Sequence, residues 1–312
     1  MMKKYFKQEI LYGINSKSYF VITILLVVLF GGILFLNYSS VTDSYNNYKK
    51  TEDYYKKNNL DIQKDLSGTY NVEQDGNSGK VSNPILYYKV TVSKYAYAAS
   101  PRYTLSQLLE ASVALFPLVF GVLGLVVATH DFKYKTIKLK TARMNKWSLG
   151  ISKQLSIAFI SFFILAAALA ISYVIGSFMY SGLSSAVPLD QFKSSVVPTK
   201  SPMMTKFIFG YATALIFAEI GYTLGMLFKN ISVGIIAIVI YTFVYTKFGQ
   251  FGLKNSLYYF QKKLFDFYGV VSAVQPSDKT TTPIAVLIVV LVVAILIITN
   301  MIVLVKRSSY ES

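Results

Sequence analysis

The run Ile284 to Val305, IAVLIVVLVVAILIITNMIVLV, decides the class of this chain: 17 of its residues are Ile, Leu or Val and none is charged. A helix needs about 20 apolar residues to cross a hydrocarbon core about 30 Å thick. At about −0.3 to −0.6 kcal/mol each, the Ile, Leu and Val residues here favour the bilayer by roughly 5 to 10 kcal/mol. Five similar runs lie upstream, at 19–37, 108–129, 155–180, 207–228 and 231–248. Together with 284–305 they predict an all-α membrane protein with six transmembrane helices. The fifth run is the shortest, and only Lys229 and Asn230 separate it from the fourth, which predicts a tight antiparallel hairpin. Composition agrees, since 54% of the 312 residues are hydrophobic, more than a water-soluble core requires.

The cations set the expected orientation. Between the second and third runs, in 130–154, Lys133, Lys135, Lys138, Lys140, Arg143, Lys146 and Lys153 face one acid, Asp131. The N-terminal 1–18 carries Lys3, Lys4, Lys7 and Lys17 against Glu9, and 306–312 opens with Lys306 and Arg307. Short basic loops stay inside, so both termini and the 130–154 loop are expected in the cytoplasm of a multi-pass protein of a bacterial cell membrane. The net charge of +16 is therefore topological and does not imply nucleic acid as a partner. The first run is longer than the h-region of a signal peptide, and Asn37 to Ser40 offer no small-x-small pattern, so it is read as a retained helix.

Outside the spans, Met2, Phe6 and Ile10 recur every four residues among lysines and suit an amphipathic helix at the cytoplasmic surface, or simply a basic anchor. The long segment 38–107 holds nine cations and seven acids and is expected outside. It begins with a helix-compatible run carrying Val41, Tyr45, Tyr48 and Tyr55, passes through a Gly, Asn and Asp rich loop from Gly68 to Pro84, and then reads as one or two strands over Ile85 to Tyr97. A small mixed domain is the expectation, its many tyrosines packing that domain and resting on lipid. The segment 181–206 reads as a loop. In 249–283, Leu253, Leu257, Phe260, Leu264 and Phe267 follow helical spacing and predict a short surface or re-entrant helix.

Catalytic chemistry has little to stand on. The chain has no cysteine, one histidine (His130), no phosphate-binding GxxxxGK[ST] loop, and no His and carboxylate pairing at metal-ligand spacing. The expectation is a non-enzyme without metal or cofactor of its own. Glu219 stands near the middle of the fourth run, where an acid costs about 2.5 to 3.5 kcal/mol. It is expected to face the bundle interior, either lining a substrate path with Tyr222 or hydrogen-bonding a neighbouring helix. Glu110, at the outer end of the second run, is read as structural.

The run from His130 to Lys140, HDFKYKTIKLK, with Arg143, Lys146, Gly150 and Lys153, resembles a segment of ABC-2 type ABC transporter permeases. In that family an acid and an aromatic precede a Gly-Thr pair, an apolar-basic stretch, a basic residue and the Lys that opens the third helix. Asp131, Phe132, Thr136, Lys146 and Lys153 take those places, and Lys135 stands where the family has glycine. The resemblance implies a half-transporter: two permease copies, or one with a paralogous permease, paired with ATP-binding cassette subunits that hold ATP and Mg. It further implies a coupling helix formed by Asp131, Phe132, Thr136, Ile137, Leu139, Arg143 and Lys146. The expected cargo is a hydrophobic or amphipathic compound such as an antimicrobial peptide, exported through the membrane. An ion-coupled secondary transporter and a membrane sensor that binds ligand through its outer domain are the alternatives.

Overall fold

The computed structural model describes residues 2–75, 78–134, 136, 140, 145–195, 200–244, 249 and 251–307. Helix α1 (Met2–Asn15) turns at Lys17, which takes the left-handed conformation (φ 56°), into α2 (Ser18–Lys57). A short α3 (Ile62–Leu66) and an antiparallel hairpin of β1 (Val72–Asp75) and β2 (Ser78–Val81) follow. Next come α4 (Pro84–Ala99), α5 (Pro101–Glu110), α6 (Ser112–Lys133), α7 (Lys146–Ala186) and a 3-10 turn at Leu189–Ser195. The chain closes with α8 (Met203–Phe228), α9 (Ile231–Val244), α10 (Leu253–Leu264) and α11 (Thr282–Arg307).

Five helices among the described residues, α2, α6, α7, α8 and α11, are long and apolar enough to cross a membrane. This is the architecture of an α-helical membrane protein. The run expected as the fifth crossing forms α9, a shorter apolar helix whose 14 residues reach about 21 Å. Residues 245–248 of that expected span lie outside the described residues. The turn before it is as tight as the sequence implies: Lys229 adopts φ 54°, and the Asn230 side chain caps α9 by accepting from the Ser232 amide at 2.9 Å.

The helices differ in what they bury. In α6, 72% of the most apolar window is enclosed by protein, against 11% in α11 and 22% in α2. Phe20, Ile24, Val28 and Phe35 of α2 and Val286, Val290 and Ile298 of α11 lie on the outside, where the surrounding solvent must be apolar for the fold to be stable. The central contact is between α6 and α8, whose main chains touch at glycines. A Cβ on Gly124 would overlap the Ala218 carbonyl oxygen, and one on Gly221 would overlap that of Gly121. Small residues permit this approach, and van der Waals packing then holds helices that gain nothing from leaving lipid. Phe116, Phe120 and Leu123 of α6 and Phe217 and Met226 of α8 fill the space around the crossing.

Several boundaries depart from expectation. The 19–37 run is the first half, and the 155–180 run the middle, of continuous helices of 40 and 41 residues, each about 60 Å long. The polar continuations contain enough helix formers for the hydrogen-bond ladder to run on past the hydrocarbon. The 108–129 run is divided instead: α5 ends at Glu110 and α6 begins at Ser112. Ile85 to Tyr97, expected as strands, belongs to α4, and the only strands among the described residues lie in the stretch expected as loop. Asn83 decides this, because its side chain accepts from the Leu86 amide while Pro84 occupies the first turn. Ile85, Val92 and Ala96 then share one buried face at helical spacing.

Val92 and Ala96 of that face build a second, smaller core with Val41 of α2, Leu183 of α7 and Phe192 of the 3-10 turn. Tyr45 and Tyr48 meet the Phe192 ring edge-on at 5.9 and 5.4 Å, so part of the tyrosine enrichment packs this outlying unit. The segment 181–206 likewise contains the end of α7, the 3-10 turn and the start of α8. The short helix expected in 249–283 is α10, with Leu253 and Leu257 buried.

Candidate functional site

At the end of the bundle that carries α1, four charged side chains from four segments meet out of contact with solvent. Glu9 comes from α1, Asp131 from the last turn of α6, Lys140 from the segment after it, and Lys153 from the second turn of α7. None is more than 5% exposed. Lys140 Nζ lies 2.5 Å from Glu9 Oε1 and 2.7 Å from Asp131 Oδ1. Lys153 Nζ lies 2.5 Å from Asp131 Oδ2 and 3.8 Å from Glu9 Oε2. Thr136 Oγ1 donates to Asp131 Oδ1 at 2.8 Å. Two acids therefore balance two cations, the condition under which burial of all four is tolerable.

Aromatic rings close the cluster on the outside. Lys140 Nζ sits 4.9 Å from the centre of the Tyr12 ring, which stacks on His130 at 5.2 Å, and His130 meets Tyr134 at 4.8 Å. Phe132 lies under Lys229 of the α8–α9 turn, with Nζ 5.4 Å from its ring centre. Of the expected coupling residues, Asp131, Phe132 and Thr136 are thus brought together. Lys146 is the first residue of α7, one position after Asn145, whose side chain accepts from the Trp147 amide at 3.1 Å. Ile137, Leu139 and Arg143 lie outside the described residues. The sequence reading missed Glu9 and the interior position of Lys140 and Lys153: it counted Glu9 only in the charge balance, and the two lysines as topology signals and as part of the family-like run.

Residues of α7, α8 and α11 line a cavity of about 440 Å³ that is open on one side. Its walls are aliphatic, including Leu155, Ala158, Leu215, Val293 and Leu296, and its polar groups are Glu219 and Gln154. Glu219 Oε2 accepts from Asn300 Nδ2 of α11 at 2.8 Å. Glu219 thus makes a hydrogen bond to a neighbouring helix, through Asn300. Tyr222 itself is 1% exposed where its main chain passes Gly124 of α6, and it does not line the cavity. The wall that Glu219 occupies faces α11, whereas the α6 crossing takes up the face on which Tyr222 lies.

A third polar group lies at the opposite end. Lys206 Nζ donates to Ser106 at 2.8 Å and pairs with Asp266 at 3.3 Å. Glu110 accepts from the Tyr103 hydroxyl and from the Phe267 amide at 3.1 Å, and Gln261 Nε2 donates to its carbonyl oxygen at 2.7 Å. These bonds pin the segment after α10, where Phe267 takes φ 56°, to α5. Burial pushes the Glu110 carboxyl up to about 7, against the opposing pull of Tyr103, Phe267 and Lys206. The folded state therefore holds a proton that the unfolded chain has released, and stability falls as pH rises from about 4.5 towards about 7. Glu110→Gln is expected to remove that part of the slope. A thermal-midpoint difference between variant and wild type that is the same at pH 4.5 and pH 8 would contradict this.

Among the described residues no group of three or more His, Cys, Asp and Glu side chains is placed to hold a metal ion. No family model, no curated protein and no solved structure matches the chain, so its function has to be argued from the ion cluster and the cavity themselves.

Proposed function

We propose that this chain is the membrane-spanning subunit of an ATP-driven exporter, multi-pass in a bacterial cell membrane, with α9 as a sixth crossing and both termini cytoplasmic. The observation that carries the reading is the buried ion cluster, which ties α1, the end of α6, the segment after it and the start of α7 into one block. A soluble partner that works membrane helices has to push on a rigid mount, and a satisfied buried network supplies one. Next to it stand Tyr134 and Trp147, 54% and 55% exposed, and the half-buried Phe132 under Lys229. Exposed aromatics beside cations are suited to a protein interface. The likeness of 130–153 to ABC-2 permeases supports an ATP-binding cassette subunit as that partner, with ATP and Mg on it, and a second permease chain completing the assembly. Hydrolysis then belongs to the partner, and the cargo is hydrophobic or amphipathic, antimicrobial peptides included. The ion-coupled alternative has one observation in its favour, the Glu219 carboxylate without a paired cation among the described residues.

Purification of the tagged chain from its native membranes in mild detergent tests the proposal. A stoichiometric ATP-binding subunit and ATP hydrolysis in the eluate are expected. Phe132→Ala combined with Tyr134→Ala is expected to lower the amount of that subunit at least fivefold while the chain stays monodisperse. A pure, intact chain with no ATP-binding companion overturns the reading.

A further inference from the structure

Glu219 is nine residues from the end of α8, about 14 Å along its axis, and so lies near the middle of a hydrocarbon layer about 30 Å thick. Only one of its carboxylate oxygens is used: Oε2 takes the Asn300 amide, and among the described residues Oε1 has neither a hydrogen bond nor an ion pair. On the facing helix Gln154 also lines the space, but its Nε2 is a donor without accessible surface and offers a cationic ligand nothing. Both groups line the same cavity. Lys153, beside Gln154 in sequence, gives no help, because it is 1% exposed and committed to Asp131 and Glu9. The free oxygen of Glu219 is thus an acceptor beside an aliphatic space, at a depth where unmet polar groups are costly.

The occupant must satisfy three conditions. It has to bring hydrogen-bond donors, and positive charge, to the free oxygen of Glu219. The rest of it has to be apolar, to match walls made of Leu155, Val293 and their neighbours. It also has to fit about 440 Å³, a volume in the usual range for small-molecule sites. Leu155 and Ile297 are 48% and 42% exposed on the outer side of the bundle, which leaves the way in from the bilayer open.

We propose that the cavity between α7, α8 and α11 binds a hydrophobic monoamine from the membrane, its ammonium group on the free carboxylate oxygen of Glu219 and its apolar body against α11. The site goes beyond the transport reading and is tested on the chain alone, so failure of one leaves the other standing.

The experiment uses the purified full chain in phosphatidylcholine nanodiscs and a primary alkylamine with a dansyl group at the far end of its chain. Trp147 is the sole tryptophan and lies seven residues before Gln154 on α7, about 10 Å away along the helix, so energy transfer from it reports occupancy. Saturable transfer is expected, with the matched alcohol probe at least tenfold weaker. Glu219→Gln keeps an acceptor for Asn300 and is expected to weaken the amine at least tenfold, leaving amine and alcohol alike. Ala212→Phe, which fills the cavity from its wall without touching Glu219, is expected to abolish binding. Equal affinity for amine and alcohol in the wild type, an unchanged amine affinity in Glu219→Gln, or displacement of the probe by phosphatidylethanolamine doped into the disc would each overturn the proposal, the last by assigning the cavity to lipid.

Discussion

Replacing Gly221 by alanine is expected to lower the apparent thermal midpoint of the purified chain by roughly 5 °C, corresponding to about 3 kcal/mol for a chain of this size. The added methyl would overlap the Gly121 carbonyl oxygen, a main-chain atom of a helix that is itself packed on its other faces. A side chain can rotate away from an intruding carbon, but a carbonyl in a helical ladder moves only if the whole helix does. Separation of α6 and α8 would loosen the contacts of Phe116, Phe120, Phe217 and Met226 together. Gly32 provides the control, since a Cβ there would meet nothing within 4 Å and α2 keeps its helical conformation. Gly32→Ala is expected to leave the midpoint unchanged or slightly raised. Equal midpoints for the two variants would mean that the close approach of α6 and α8 does not hold the bundle together.

The second large effect is expected at the ion cluster. Asp131→Asn leaves Lys140 and Lys153, both nearly inaccessible to solvent, with Glu9 as their remaining acid. Removing one partner from a buried network costs about 3–5 kcal/mol, because the orphaned charge stays in a poorly polarisable environment. The damage should fall first on α1, which Glu9 joins to the rest of the bundle. The chain has no cysteine, so Ile14→Cys creates a unique thiol, and faster labelling of it in the Asp131→Asn background would register the loosened helix. Replacing Asp131 by Leu together with Lys153 by Met removes one charge of each sign and is expected to recover at least half of the lost stability. Strictly additive losses in that pair would show that the charges do not act as a unit.

How much of this was readable beforehand depended on how far apart the interacting residues are in sequence. The apolar runs, the hairpin turn at Lys229 and Asn230, and the spacing of Leu253, Leu257 and Leu264 are local signals, and they correspond to helices at those places. Strands were expected over Ile85 to Tyr97 because Val90, Thr91, Val92 and four tyrosines favour extended backbone when read residue by residue. The helix there follows from its cap and from the core it shares with α2 and α7, which a short window does not contain. The candidate sites are less local still. Lys140 meets an acid 131 positions away, and Glu219 meets an amide 81 positions away. One clue to the cluster was available: Glu9 and Asp131 are single acids within strongly basic segments. An acid in such surroundings has cations at hand, and if it is buried it takes some of them inside. Gln154 and Asn300 gave no such sign, since one amide in an apolar run says little about which face it occupies.

The unbroken length of α7 has a mechanical consequence. Lys153 near its start and Leu183 near its end are separated by 30 residues of continuous helix, about 45 Å. Such a rod acts as a lever with its fulcrum in the membrane, and a tilt of about 5° swings the two ends in opposite directions by about 2 Å each. Repositioning Lys153 at one end would therefore shift Leu183 against Val92 and Phe192 at the other, on the far side of the bilayer, with no side-chain relay in between.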